Sequence, residues 1–410
     1  MKFLQVDTIE KARHKLFEAA KDYLPATKTV PLDKAGGEVL ARDIFAKEDL
    51  PHFKRSSVDG YALLSADTKG ARESIPVFLT VAGTVEMGCG ADFTITSGQC
   101  AEIPTGGMLP NGANAVAMVE YCEAFGDNEI AVYKSVAHGS NVMQIGDDCK
   151  KGAMLLPEGK KLTPQDIGAL AVAGVKEVLV FAPPKICFIS TGDELISPYY
   201  NPLEPGKIRE TNSISLSALA AKYGYCVGET QVLPDNEHII KQAIKQAAEK
   251  YDIVAVSGGS SQGKKDMTEE IINKVSDPGV FTYGIAIKPG KPTILGYDRA
   301  SKTLLAGLPG HPISAMTVFE LLFGWLWREL TGVSESFPII AKLSANVPQS
   351  PGKVTCYPCK LNMENGTYTA RPILYKSGLI TTLTAADGYF LIDRDTEGLE
   401  KGASVSVYLY

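Results

Sequence analysis

The chain has 410 residues, 45% of them apolar and 21% charged, a balance expected of a soluble globular protein with roughly two to four domains. A net charge of −6 argues against a nucleic-acid binder working by bulk attraction, and without a run of about 18 apolar residues no helix is expected to span a membrane. Eight scattered cysteines and a charged start, "MKFLQVDTIEKARHK", lead us to expect no secretory leader and a cytoplasmic protein with reduced thiols.

In chain order, residues 8–24 read as an amphipathic helix. Asp7 and Glu10 have capping-box spacing, and Leu16, Ala20 and Tyr23 give it an apolar side. From about 50 to 145, short β-rich runs such as "IPVFLTVAG" and "EIAVYKSVA" alternate with Gly and Pro. "TPQDIGALAVAGV" predicts a short helix, with Pro164 in its first turn and Gly174 as its stop. From 183 to 330 strands and helices alternate. "KICFIS", "YCVGETQVL" and "DIVAVSGG" are apolar strands. Asn212 is placed to cap a helix carrying Leu216, Leu219, Ala220 and Tyr223, and "EHIIKQAIKQAAEK" groups Ile240, Ala243, Ile244 and Ala247. Such alternation implies a parallel sheet covered on both faces. After the helix "PISAMTVFELLFGWLWRELTG" the chain turns strand-like, with a hairpin at Asn365-Gly366. Cys356 and Cys359 form a lone CxxC, which fits ordinary strand cysteines better than a zinc or redox pair.

Ligands of open α/β sheets bind beyond the carboxyl ends of the strands, so the segments there carry the chemistry. "SGGSSQGKKD" nearly matches a phosphate loop through Gly258, Gly263 and Lys264, but Lys265 stands where a magnesium-binding hydroxyl is required. That departs from a nucleotide triphosphatase, while its glycines still favour an anion. Asp266 reads equally as a helix cap or a metal ligand. "STGDEL" places Asp193 and Glu194 at a strand mouth, where capping is the plainer alternative. "KPGKP" sets Lys288 and Lys291 on a stiff turn suited to phosphate or an oxyanion, or to solvent. "GLPGHPIS" brings Pro309, Gly310 and Pro312. Together these loops predict a site for a phosphorylated ligand, with a divalent metal bridging acid and phosphate.

The phrases "DLPHFKRSSVDGYA", "PTGGMLPNGANAVAMVE", "STGDEL", "GKIRETN", "SGGSSQGKKD", "IAIKPGKP" and "GLPGHPISA" occur in this order. In them the chain resembles, over essentially its whole length, the molybdopterin molybdenumtransferase family that includes MoeA and the gephyrin E domain. The resemblance implies a multidomain α/β fold. Its parts would be an elongated N-terminal part (1–50 and 146–182), an inserted β-rich lid (51–145), a three-layer α/β pterin-binding domain (183–332) and a C-terminal β domain (333–410). It implies a cytoplasmic homodimer, with the cleft between the lid of one subunit and the α/β domain of the other. The implied reaction is insertion of molybdate into adenylylated molybdopterin, with release of AMP assisted by Mg²⁺. By resemblance Asp59, Thr105, Asp148, Glu194, Asp235 and Asp266 are the catalytic candidates, with Glu194, Asp235 and Asp266 the metal ligands. Ser257, Gly258, Gly259, Ser261, Lys288, Lys291, Pro309 and Pro312 would bind substrate and molybdate. An upstream molybdopterin adenylyltransferase is the implied partner.

The chain departs from the pattern at Lys264 and Lys265, at Asn114, at His311 and at Gly284. The last lacks a lysine found in some relatives, compatible with altered oxyanion preference, such as tungstate, or with compensation by Lys264 or Lys265. Two rival readings are a pterin adenylyltransferase and a non-catalytic scaffold of the gephyrin type. The long terminal additions disfavour the first, and the lack of a long disordered linker disfavours the second.

Overall fold

The structure is a computed structural model that describes residues 6–258, 262–333 and 337–410, with the backbone alone described at 262–266. Its organising sheet has the order Cys226–Leu233, Lys185–Thr191, Ile253–Gly258, Thr303–Leu308, Ile294–Asp298, Pro278–Thr282. The first four strands are parallel, as the alternation predicts. The next strand, Ile294–Asp298, runs antiparallel to them, because the turn between Asp298 and Thr303 is far too short for the crossover of a dozen or more residues that a parallel pairing needs. The last, Pro278–Thr282, is antiparallel to it and so points the same way as the first four.

Residues of one strand alternate between two cores, which is why the strand sequences read as unbroken apolar runs. Phe188, Ala255 and Ala306 pack with Leu216 and Phe319 on one face. Ile189, Val254 and Val256 pack with Ile244 and Ile271 on the other. Helices on both faces make this a three-layer α/β domain. Asn212 differs from its sequence reading: it is the first residue of the helix Asn212–Lys222, Thr211 holds the cap position, and the Asn212 amide points across the sheet edge instead. The helix Pro312–Phe319 continues through a π-helical turn, Glu320–Gly324, into Trp325–Thr331.

The inserted unit is a six-stranded sheet ordered Ala115–Met118, Gly60–Leu63, Gln99–Ile103, Val77–Thr84, Glu129–Val132, Cys122–Phe125. The helix Pro164–Val172 begins with a capping box between Thr163 and Asp166 and has Pro164 at its start. Gly174 follows its end at φ 69°, the left-handed stop that glycine adopts without steric cost. At the C-terminus, Val354–Glu364, Thr367–Pro372, Ile339–Leu343, Ser404–Leu409 and Gly388–Ile392 pair in series. The last returns to the first and closes a barrel. Asn365 and Gly366, at φ 49° and 76°, form the expected two-residue hairpin turn. Cys356 and Cys359 lie buried in the strand Val354–Glu364, and burial pushes the Cys359 thiol up to about 12.

The N-terminal helix spans Ile9–Ala20 and its cap is Thr8, whose side chain accepts from the Lys11 amide. Asp7, placed as the cap by spacing alone, is buried and does other work. Its carboxylate pairs with Lys11 at 3.0 Å and Lys15 at 2.6 Å and accepts from Thr282 Oγ1 at 2.9 Å. Its backbone bridges Gly284 and Ala286. Ile9, Ala12, Leu16 and Ala20 thereby enter the core beneath the sheet.

Burial opposes ionisation of Asp7, but the hydrogen bonds from Lys15, Lys11 and Thr282 outweigh it and hold the carboxyl below 3.8. A folded value below the unfolded one means that the stabilisation is complete at neutral pH. It declines as pH falls below 3.8 and vanishes below the folded value. Asp7→Asn is therefore expected to cost about 1.5–3 kcal/mol at pH 7, the worth of hydrogen bonds to a charged group. Urea denaturation at pH 7 and at pH 3 checks this: the gap between variant and parent should narrow at the lower pH.

Candidate functional site

Four parallel strands end at one edge, delivering the segments after Thr191, Leu233, Gly258 and Leu308. The antiparallel strand Ile294–Asp298 starts there, since Ile294 pairs with Gly307, so the loop Lys288–Pro292 arrives at the same rim. The adjacent strand ends are packed closely. A Cβ on Gly258 would lie 2.0 Å from Thr191 Oγ1 and 2.7 Å from the Thr191 carbonyl oxygen, so a side chain at 258 would force the two strand ends apart.

Beneath this rim lies a polar floor. Asn212 Nδ2 donates to Ser257 Oγ at 2.6 Å and to the Gly310 carbonyl at 2.8 Å, tying three loops together. Its Oδ1 is buried without a protein partner. The buried carboxylate of Glu210 accepts from Ser190 Oγ at 2.8 Å and from the Ser213 amide at 2.7 Å. On the neighbouring wing, Asp193 Oδ1 accepts from the Asp235 amide at 3.1 Å, joining the loops that carry Glu194 and Asp235.

A cavity of about 660 Å³ opens between the rim and the C-terminal barrel. Gly258, Lys288, Lys291 and Pro309 line it from the sheet side, and Lys353 and Tyr375 from the barrel side. The lysine loop is built into both parts. Ile287–Lys288 pairs in parallel with Val354–Thr355 of the barrel, and Lys288 Nζ donates to Ser350 Oγ at 2.7 Å. Gly290 has φ 120°, and a Cβ there would lie 2.4 Å from Val318 Cγ2, so only glycine fits this turn. His311 crosses to the barrel as well, its Nδ1 lying 3.0 Å from Ser377 Oγ.

Of the residues singled out in the sequence, Gly258, Lys288, Lys291 and Pro309 meet in this cavity. Ser257 supports it from below and Pro312 starts the helix behind it. Glu194 and Asp235 stand at the same sheet edge, on the wing of the strands Lys185–Thr191 and Cys226–Leu233, and do not line the cavity. Gly259 and Ser261 lie outside the described residues, as does the Asp266 side chain. The Asp266 backbone falls inside the helix Gln262–Val275, which removes the capping alternative for it. Asp59 and Thr105 belong to the inserted unit. Asp59 Oδ1 accepts from the Thr105 amide at 2.7 Å and from its hydroxyl at 3.0 Å; these bonds, the amide's first, hold the carboxyl below its ordinary value. Asp148 is exposed on the connection back from that unit. Among the described residues, no three acidic, histidine or cysteine side chains converge as a metal site.

Three family models match in succession: the MoeA N-terminal region (domain I and II) over residues 7–174, a probable molybdopterin binding domain over 187–327, and the MoeA C-terminal region (domain IV) over 341–410. A putative molybdopterin biosynthesis protein of Methanocaldococcus jannaschii is 34% identical across 98% of this chain and 97% of its own. The chain belongs to the MoeA family of molybdopterin molybdenumtransferases. The molybdopterin molybdenumtransferase of Staphylococcus aureus is 31% identical over 93% of this chain and 90% of its own. A crystal structure of a molybdopterin biosynthesis MoeA protein from Pyrococcus horikoshii superposes with a TM-score of 0.84 at 35% identity, covering 99% of this chain and 100% of that one.

The MoeA fold explains what the motif phrases missed. Lys353 and Tyr375 sit in the barrel, outside every quoted phrase, and reach the cavity only because the barrel docks against the rim. Glu210 and Asn212 do lie in a quoted phrase, "GKIRETN". The buried bonds of Asn212 depend on the distant Ser257 and Gly310, which no local pattern predicts. One departure has a local explanation. Asn114 Oδ1 accepts from the Ser65 amide at 2.8 Å, a bond that a neutral amide makes as well as a carboxylate does. The carbonyl of Gly284 accepts from the Asp7 amide at 2.9 Å, a backbone bond that any residue makes, so the lack of a lysine there has no structural explanation.

Proposed function

We propose that this molybdotransferase inserts molybdenum into adenylylated molybdopterin and releases AMP with the assistance of Mg²⁺. The observation that carries the reading is the shared cavity, where two lysines on a rigid turn and Lys353 from the barrel face the glycine-rich strand end at Gly258. The substrate is a polyanion with a planar ring system, and molybdate is an oxyanion. Ammonium groups suit the charged parts, while the glycine-rich sequence after Gly258 suits a phosphate.

In this reading Lys288 and Lys291 hold the oxyanion, and the segment from Ser257 to Ser261 holds the phosphate end. Pro309 shapes the wall with Pro312 behind it, and Asn212 braces the loops beneath through Ser257 and Gly310. The donor set suits Mg²⁺: Glu194 and Asp235 are oxygen ligands on loops joined through Asp193, with Asp266 as the third candidate. One or two carboxylates completed by substrate phosphates is the usual magnesium arrangement. When bound, Mg²⁺ supplies charge neutralisation at the phosphate anhydride. Asp59, Thr105 and Asp148 lie apart from the cavity of their own chain, which supports a homodimer in which the inserted unit faces the partner's site. A cytoplasmic setting and supply by an adenylyltransferase complete the proposal.

The test is to mix the purified protein with adenylylated molybdopterin, Mg²⁺ and molybdate and to follow AMP. Release that requires molybdate is expected. Formation of adenylylated product from ATP would instead indicate the adenylyltransferase reaction, and no turnover under any condition would indicate a scaffold.

A further inference from the structure

A second cavity, of about 540 Å³, lies on the far side of the π-helical turn, where the N-terminal part, the α/β domain and the barrel meet. Its walls include Tyr223, Trp327, Tyr389 and Tyr410, with Lys161 and Lys222 also lining it. Glu320, on the π-helical turn, lines it too and is only 5% exposed. Single π-helical turns inside α-helices occur frequently at functional sites.

The Glu320 carboxylate is half satisfied. Its Oε1 accepts from the Tyr223 hydroxyl and, at 3.4 Å, from the Tyr389 hydroxyl. Burial pushes both phenols up, so both remain O–H donors and Oε1 is committed as their acceptor. Oε2 is buried with no hydrogen-bond partner. A buried carboxylate oxygen without a donor is costly, and a ligand N–H would relieve that cost. The other groups set the rest of the ligand. Aromatic walls stack a planar ring, and lysines lining the cavity attract an anion. The volume falls in the range of about 300–1,000 Å³ usual for small-molecule sites.

We infer that this cavity binds a purine nucleoside monophosphate, the amino group of adenine donating to Glu320 Oε2 and the phosphate meeting Lys161 and Lys222. A single free acceptor oxygen selects adenine over guanine, whose adjacent ring N–H and amino group call for two acceptors side by side. The inference does not depend on the proposed reaction, since it concerns a cavity that shares no lining residue with the one holding Lys288.

Isothermal titration of the full chain with AMP and with GMP tests it, on the parent and on Lys288→Ala, Lys222→Ala and Glu320→Gln. AMP binding is expected to survive Lys288→Ala and to weaken about tenfold in Lys222→Ala, roughly the loss of one charge-assisted contact. GMP should bind at least about tenfold more weakly than AMP. Lys222 is exposed, so its variant reports on binding even if Glu320→Gln fails to fold. Binding lost in Lys288→Ala but unchanged in Lys222→Ala would place AMP in the first cavity and overturn the inference. So would equal affinity for GMP, or no heat with millimolar AMP.

Discussion

Lys288→Ala is expected to lower molybdate-dependent AMP release by roughly 10–100-fold, the equivalent of one hydrogen bond to a charged group. The melting temperature should move little. Lys288 is exposed, and the one hydrogen bond its side chain makes among the described residues is to Ser350; exposed polar pairs contribute little to stability. Raising the molybdate concentration should recover part of the rate if the ammonium acts by holding the oxyanion. Steady-state kinetics against molybdate, set beside a thermal melt, decides the matter. A parallel loss of activity and thermal stability would mean that Lys288 serves the docking of the barrel and not the ligand.

Gly258→Ala is expected to be the more damaging substitution, because it acts on packing and on the site together. The added methyl would sit 2.0 Å from Thr191 Oγ1 and 2.7 Å from the Thr191 backbone oxygen, and rotation of the threonine side chain relieves only the first. Overpacking of this kind costs about 1–3 kcal/mol, which is a fall of roughly 2–12 °C for a domain of about 150–250 residues. Turnover should fall further than stability does, since the strand end that moves is the one leading into the glycine loop. Calorimetry and the AMP assay on one preparation compare the two. A variant that melts and turns over like the parent would show that the strand ends do not approach so closely.

Much of this architecture was legible in local pattern. Pro164 and Gly174 bracket their helix because each has one backbone preference that suits its place, and Asn365-Gly366 turns its hairpin for the same reason. The lysine loop could be marked as a candidate anion site because its chemistry lies within five residues, and the structure brings both lysines to one cavity. What was misread depended on distant contacts. Asp7 looked like a cap until the strand ending at Thr282 came against it and Thr8 took the cap. Asn212 was assigned to its own helix but is spent on Ser257 and Gly310. The antiparallel strand Ile294–Asp298 hid behind an alternation that suits either direction, and only the brevity of the 299–302 connection gives it away. Lys353 and Tyr375 could not be found by motif at all, since their position depends on a barrel docking against another domain.

The short pairing of Ile287–Lys288 with the barrel strand has a consequence for specificity. A residue pair that belongs to the sheet domain by chain, yet to the barrel by hydrogen bonding, acts as a shared hinge pin. A slight rotation of the barrel about that pin changes the distance between the ammonium at 291, on the rim, and the one at 353, on the barrel. In the proposed reading, substitutions deep within the barrel would therefore retune the radius of the anion held, leaving every contacting side chain in place.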